Sequence, residues 1–312
     1  MTGNRSGRNV VSSLAGSPIP VSHPDRVVFP EVGLTKGELV DYYCTVADVM
    51  VPHLRGRPLM LERFPVGITG KGFYQKDAGR STPEWVERVN VPKQGGVVTH
   101  LVCNDVRTLA FLANQNCVTP HVWLSRVDRL DSPDRLVFDL DPTLDDFATV
   151  RDGARTIAGL LRDVGLVPYV QTTGSRGLHV AVPLDRSADF AAVGAFALDL
   201  ANVVVAGDPN RFTTAARKVD RGDRVFIDTW RNNYAQTMAA PYSVRSRPTA
   251  PVATPLEWPE LGRPGMHAQR FTATSVLRRL AQRGDPWADM DDHARSLAQP
   301  RLRLDERVAA PG

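Results

Sequence analysis

Leu136-Val-Phe-Asp-Leu-Asp-Pro142 is an apolar segment broken by two carboxylates at alternate positions, and Arg224-Val-Phe-Ile-Asp228 is a second apolar segment ending in a third. In a strand, alternate side chains share one face, so Asp139 and Asp141 point the same way with Cα atoms about 7 Å apart. Such a pair is a clamp for a hard divalent cation. Mg²⁺ and Mn²⁺ take oxygen ligands and leave places for phosphate oxygens, and Asp228 at another strand end would complete a two-metal site. The first expectation is a metal-dependent phosphoryl or nucleotidyl transferase.

A chain of 312 residues can bury a full core without staples. Residues 1–20, rich in Gly, Ser, Arg and Pro, read as a flexible tail. Residues 21–290 read as one catalytic unit, with a basic first lobe over about 21–130 and a catalytic second lobe over about 131–290; residues 291–312 read as a C-terminal tail. Leu34 to Met50 predicts one helix, with Thr35 as N-cap and Glu38 closing a capping box. Further helices are predicted over 105–114, 147–164, 190–205 and 273–282, and strands over 57–64, 96–103, 121–125, 136–140 and 224–228. Residues 167–173 and 177–182 read as a hairpin closed by Gly174-Ser175-Arg176. Hairpins among helices predict an α+β fold with mainly antiparallel sheets.

With 38 Lys+Arg against 34 Asp+Glu, the net charge of +4 suits a polyanion without requiring one. Basic residues gather at Arg5, Arg8, Arg26 and Lys36, at Arg211 to Arg224, and at Arg245 and Arg247. Cys44, Cys103 and Cys117 lack metal-ligand spacing and read as core thiols of a reducing compartment. No apolar run reads as membrane-spanning and the first residues lack a secretory pattern, so a cytoplasmic, nucleoid-associated location is expected.

Two readings compete for the acids. Asp139-Leu-Asp-Pro-Thr143 also fits the DxDxT signature of haloacid dehalogenase phosphatases, with Asp139 as nucleophile. Against it, Thr172-Thr-Gly-Ser-Arg-Gly-Leu-His179 turns straight back into a strand where that fold needs a helix. The same segment suits a triphosphate cradle: a Gly-rich turn that exposes N–H groups, with Arg176 as a planar fork and His179 as a donor.

Asp139-Leu-Asp141, Ser175-Arg-Gly-Leu-His179 and Phe226-Ile-Asp228 resemble, in order and separation, the three motifs of the archaeo-eukaryotic primase superfamily. The chain is still more similar to the polymerase domain of bacterial ligase D and its stand-alone relatives, from about Val21 to Leu261, through His23–Pro30, Leu34–Gly37, Phe73–Lys76, His121–Ser125 and Ala240–Arg245. The resemblance implies a two-lobed fold with an RRM-like, mainly antiparallel catalytic sheet. It implies a template-dependent polymerase that fills gaps and extends break ends with ribo- or deoxyribonucleotides, favours Mn²⁺ over Mg²⁺ in a two-metal site, and works as a monomer beside Ku and a separate ligase. Priming on an unprimed template stays open. By the same resemblance Asp139, Asp141 and Asp228 hold the metals. His121, Thr173, Ser175, Arg176, Gly177, His179 and Arg245 bind the nucleotide, Arg26 and Lys36 the 5′-phosphate across a gap. Phe73 and Tyr74 stack on the template, although strand alternation would turn one ring toward the core. A non-catalytic end-binding module is the remaining alternative, against which the intact trio speaks.

Four positions depart from the family's pattern, one of them Thr173, which replaces the usual Ser and keeps the hydroxyl. Glu62 stands where a basic residue is common, with Arg63 as its substitute; Thr-Trp-Arg231 follows Asp228, leaving Arg231 to contact nucleotide or solvent; and Arg176 replaces the usual Lys. No Lys-x-Asp-Gly ligase motif is present, so the chain reads as a stand-alone polymerase.

Overall fold

The computed structural model describes residues 11–12 and 17–309, so the expected tail over 1–20 lies largely outside the described residues. β1 (Val11–Ser12) pairs with β2 (Val21–Ser22), and β3 (Val27–Phe29) with β4 (Leu34–Thr35). Thr35 then caps α1 (Lys36–Thr45): its hydroxyl accepts from Glu38 N–H at 3.2 Å while the Glu38 carboxylate accepts from Thr35 N–H at 2.7 Å. The predicted single helix breaks at Val46 into α1 and α2 (Ala47–Leu54). Thr45 Oγ1 donates back to the Asp41 carbonyl at 2.8 Å, a bond that bends helices.

β5 (Leu59–Arg63), β6 (Phe73–Gln75), the hairpin β7 (Arg88–Lys93) with β8 (Gly96–Leu101), and α3 (Val106–Asn114) follow. Asp105 caps α3 through Thr108 N–H at 2.7 Å. Next come β9 (Cys117–Trp123), β10 (Ser125–Arg126), β11 (Arg129–Pro133), β12 (Arg135–Pro142) and α4 (Phe147–Asp163). β13 (Tyr169–Thr172) and β14 (Leu178–Pro183) form the expected hairpin; α5 (Phe190–Gly207), β15 (Phe212–Thr213), β16 (Val225–Asp228), β17 (Thr237–Ala239), β18 (Pro255–Leu256), α6 (Ala273–Arg283) and α7 (Ala298–Ala309) complete the chain.

Two sheets position the site. One has the order β15-β16-β12-β14-β13-β18, antiparallel except for β15 beside β16; the other has the order β17-β9-β5-β6. Along β12 the even residues Leu136, Phe138 and Leu140 pack with α4 and α5, whereas Val137 on the odd face joins the core of the first lobe. Asp139 and Asp141 therefore face the second sheet. The antiparallel neighbours of β12 exclude the Rossmann-like phosphatase.

The lobes are not the contiguous halves expected. β17 pairs with β9, and Tyr242, Val252, Val276, Trp287 and Met290 pack into the first-lobe core, so the chain crosses back after β16. Nor is 291–312 a tail. Leu297 and Leu304, two helical turns apart, enter the second core, and Arg301 reaches Asp199 of α5 at 2.7 Å. α5 also corrects the membrane reading, since its 18 residues have a mean hydropathy of 1.8, long and apolar enough to cross a bilayer. Here Val193, Phe196, Ala197 and Leu200 lie against the sheet and Asp199 pairs with Arg301.

Candidate active site

Asp139 of β12 lies directly across from His179 on β14 and from Asp228 on β16. Residues opposite one another in an antiparallel pair share a face with Cβ atoms about 5 Å apart, so three strands bring these groups into one row, with Asp141 one step along. Gly177 permits this packing: a Cβ there would sit 1.8 Å from the Leu140 carbonyl oxygen. Gly174 adopts φ +63° and leaves no room for a side chain against Arg245 and Val252.

Asp139, Asp141 and His179 open on a cavity of about 250 Å³ lined also by His121, Thr173, Ser175, Arg176, Arg231, Arg245 and Arg247, with Asp228 outside its lining and reached through Arg231. Burial disfavours the Asp139 carboxylate, but His179 and Arg231 outweigh it and hold the group well below the usual range. His179 Nε2 stands 3.5 Å from Asp139 Oδ1, and Gln171 Nε2 lies 2.9 Å from the other ring nitrogen. Burial first, then the Asp139 charge, pushes Asp141 up to about 6. Asp228 is raised by burial, and its Oδ1 accepts from Trp230 N–H at 2.8 Å.

Buried polar atoms with no hydrogen-bond partner cluster here: Asp139 Oδ1, His121 Nε2 and Arg245 Nε. Such atoms are rare because each forfeits about 1–3 kcal/mol of solvation, and in a cavity they mark where a ligand bonds. Among the described residues no three His, Cys, Asp or Glu side chains converge as a ready metal-ligand set. Asp139 and Asp141 nonetheless fit a hard cation, with one Asp139 oxygen unpartnered and the Asp141 carboxylate disfavoured by burial and by the Asp139 charge.

Several expected residues take other roles. The Thr173 hydroxyl staples the turn, donating to the Gly177 carbonyl at 3.1 Å and accepting from the N–H groups of Ser175 and Gly177. Two of the N–H groups expected to face phosphate are thus used within the loop. Arg245 Nη1 donates to the Thr173 carbonyl at 2.5 Å and Arg247 Nη2 to Ser175 Oγ at 2.9 Å, which braces the turn from the side. Glu62 pairs with His121 at 3.9 Å and accepts from Ser246 at 2.8 Å. Against the upward pull of burial, these neighbours bring it down to about 2. Arg63, one residue on, faces the opposite side of β5 and donates to Gln115 and Gln75, so it does not substitute for a base at position 62.

Both aromatic rings are exposed, Phe73 at 44 % and Tyr74 at 60 %, because β6 is an edge strand with neither face covered. Tyr74 meets His121 edge-on at 5.9 Å, beside the cavity, while Phe73 lies under Arg63 at 5.5 Å on the other face. Arg26 and Lys36 lie apart from the cavity. They are joined through Lys36 N–H and the Arg26 carbonyl at 2.7 Å. Arg231, left open by the sequence, bridges two acids: its Nε is 3.2 Å from Asp139 Oδ2 and 3.5 Å from Asp228 Oδ2.

The family model for the LigD primase-polymerase domain matches residues 35–287. This chain belongs to the LigD primase-polymerase family. The LigD multifunctional non-homologous end joining protein of Mycolicibacterium smegmatis is 35% identical over 282 residues, 88% of this chain and 36% of that protein. The LigD of Pseudomonas aeruginosa is 30% identical over 93% of this chain and 35% of its own length, and the bifunctional LigD of Bacillus subtilis is 28% identical over 85% and 43%. The chain thus spans about a third of the first relatives' length. Among solved structures, the polymerase domain of Mycobacterium tuberculosis ligase D in complex with DNA superposes with a TM-score of 0.84 at 33% identity, covering 89% of this chain and 99% of that one. Family membership makes this chain a nucleotidyltransferase of the LigD type, and domains of this kind use divalent metal.

Proposed function

We propose that the chain adds ribo- or deoxyribonucleotides, directed by a template, to primer ends at gaps and breaks in DNA. The observation that carries this reading is the row His179–Asp139–Asp228 across three strands, beside a cavity that also holds four arginines. The primer 3′-hydroxyl gives its proton to water, its oxygen bonds to the α-phosphorus as the bond to the α–β bridging oxygen breaks, and pyrophosphate leaves. Asp139 and Asp141 hold divalent metal, Mn²⁺ in preference to Mg²⁺, with Asp228 alongside. When bound, the metal lowers the pKa of the primer hydroxyl and neutralises triphosphate charge.

The chain's own residues supply position. Arg176, Arg245 and Arg247 surround the triphosphate from the turn side, with Ser175 and Gly177 giving it a close approach, and Thr173 holding that turn in shape. His121, held beside Glu62, lines the cavity where the nucleotide sits, and His179 orients Asp139. Tyr74, exposed beside His121, presents a face to the template base, and base stacking contributes about 1–3 kcal/mol. Phe73, beside Arg63, faces the downstream end. The end-joining names of its relatives support broken DNA as the substrate; Ku and a separate ligase are the partners proposed with it.

Extension of a labelled gapped primer with rNTPs or dNTPs and Mn²⁺ tests the reading. Asp139→Asn with Asp141→Asn should abolish addition while the protein stays folded and binds DNA. Undiminished extension by the double variant would refute the site.

A further inference from the structure

Arg231 differs from the other cavity arginines in where its charge goes. Arg245 and Arg247 donate to the turn, whereas Arg231 touches Asp139 and Asp228 and sends Nη1 to the Thr237 carbonyl of β17 at 3.4 Å. Its base is fixed. Asn232, fully buried, accepts from Val137 N–H at 2.8 Å and donates to the Val137 and Thr229 carbonyls, pinning the turn to β12. The Arg231 side chain itself is 37% exposed. A fixed backbone with a half-free side chain is an arm that can swing without disturbing the fold.

The guanidinium takes Asp139 Oδ2 and pairs with Asp228 Oδ2, so that, although Asp139 Oδ1 is left without a partner, a positive charge stands between two of the acids where a metal would bind. Direct coordination by Mg²⁺ or Mn²⁺ requires oxygens at about 2.0–2.2 Å, and a cation already bonded to those oxygens both blocks and repels the ion. The same cavity offers Arg231 a second anion, the triphosphate that Arg176, Arg245 and Arg247 face. We propose that Arg231 is an intramolecular counter-ion that holds Asp139 and Asp228 until nucleotide arrives and then passes to its phosphates, so that metal and nucleotide binding are coupled. This rests on the polymerase reading of the site. The exchange is noncovalent: one Arg–carboxylate pair is replaced by metal–carboxylate and Arg–phosphate contacts. Because coupling is reciprocal, metal should tighten nucleotide binding by the same factor.

Mn²⁺ binding to the purified full chain, followed by electron paramagnetic resonance of free Mn²⁺ without DNA, tests this directly. Without nucleotide, Arg231→Gln should bind Mn²⁺ roughly tenfold more tightly than wild type, the scale of removing one close charge pair. A non-hydrolysable triphosphate analogue should then tighten Mn²⁺ binding much more for wild type than for the variant. Arg231→Lys, which keeps the charge, should return Mn²⁺ affinity toward wild type. Equal Mn²⁺ affinities of wild type and Arg231→Gln, or a Lys variant as tight as Gln, would overturn the counter-ion role. Asp139→Asn with Asp141→Asn separates the two ideas: Mn²⁺ binding unchanged in that variant means the acids are not the metal site, and the polymerase reading itself fails.

Discussion

Arg26, Lys36 and Arg63 gather at one end of the first lobe with neutral partners: the Pro65 carbonyl, the Ser22 carbonyl and hydroxyl, and Gln115 with Gln75. Burial, then repulsion from Arg26 and Arg63, brings the Lys36 ammonium down to about 8. A phosphate dianion would relieve that repulsion, which is the electrostatic form of an anion site. Arg26→Ala with Lys36→Ala should erase the preference for a 5′-phosphorylated gap and spare extension of a simple primer end. Lys36 is also bonded to Ser22, so Arg26→Ala alone serves as the milder variant. Equal loss on both substrates, measured by primer extension, would count against the phosphate role. The residue types at this end were legible because a capped helix start carries them. That Lys36 is 2% exposed was not, since its burial depends on Ser22 of β2 meeting its ammonium from outside the helix.

Local patterns placed most elements. The Thr35–Glu38 box, the Asp105 cap and the 3.6-residue spacing of α4 all act within a turn or two, so neighbours in sequence suffice to read them. The β7–β8 hairpin was half seen: its second strand is apolar enough to find, while Arg88–Lys93 alternates weakly and is defined by its pairing with β8, from Arg88 opposite Leu101 to Lys93 opposite Gly96, across the turn Gln94-Gly95. α7 was missed because Leu304 and Pro300 are the residues it buries, its other apolar side chains Leu302 and Val308 are exposed, and charges stand between them. Leu304→Ala should cost about 2–5 kcal/mol, the range for truncating a fully buried leucine, read from urea unfolding. A loss under 0.5 kcal/mol, the scale of an exposed position, would mean that α7 does not dock on the second core.

Across the whole molecule, a buried polar network ties the sheets together. Asp134, at the entry to β12, accepts from Arg57 at 2.7 Å and from Arg126 at 2.6 Å, and Arg126 goes on to Asp291. Arg135 Nη2 meets His53, whose other nitrogen meets Asp285 at 3.1 Å. Burial opposes ionising Asp134, but Arg57 and Arg135 prevail and set it at about 2, below its ordinary 3.8. A carboxylate depressed on folding stabilises fully above its unfolded pKa and loses that contribution as pH falls through the folded value. Stability should therefore drop between about pH 4 and pH 2. His53, lowered chiefly by burial, adds a loss below about pH 6.5 because only the unfolded chain then takes up the proton. Asp134→Asn should lose about 3–5 kcal/mol at pH 7, since it leaves Arg57 and Arg135 buried without their counter-charge. Thermal unfolding across pH checks both. A variant as steep as wild type between pH 4 and pH 2 would remove Asp134 from the account.

The order of helices and hairpins indicated the fold class, the three acids indicated metal-dependent phosphoryl transfer, and the resemblance carried by the acids and the Gly-rich hairpin narrowed that to nucleotidyl transfer. Strand alternation and turn chemistry are local, and they already put carboxylates and cations at strand ends. Only tertiary structure decided which atoms lack partners. Thr173 turned inward to shape its loop, Asp139 Oδ1 and His121 Nε2 remained unbonded, and Arg231 settled between Asp139 and Asp228. Those outcomes depend on β16, β12 and β17 meeting side by side and face to face, and interactions across about 90 residues of chain leave no periodic mark in the sequence.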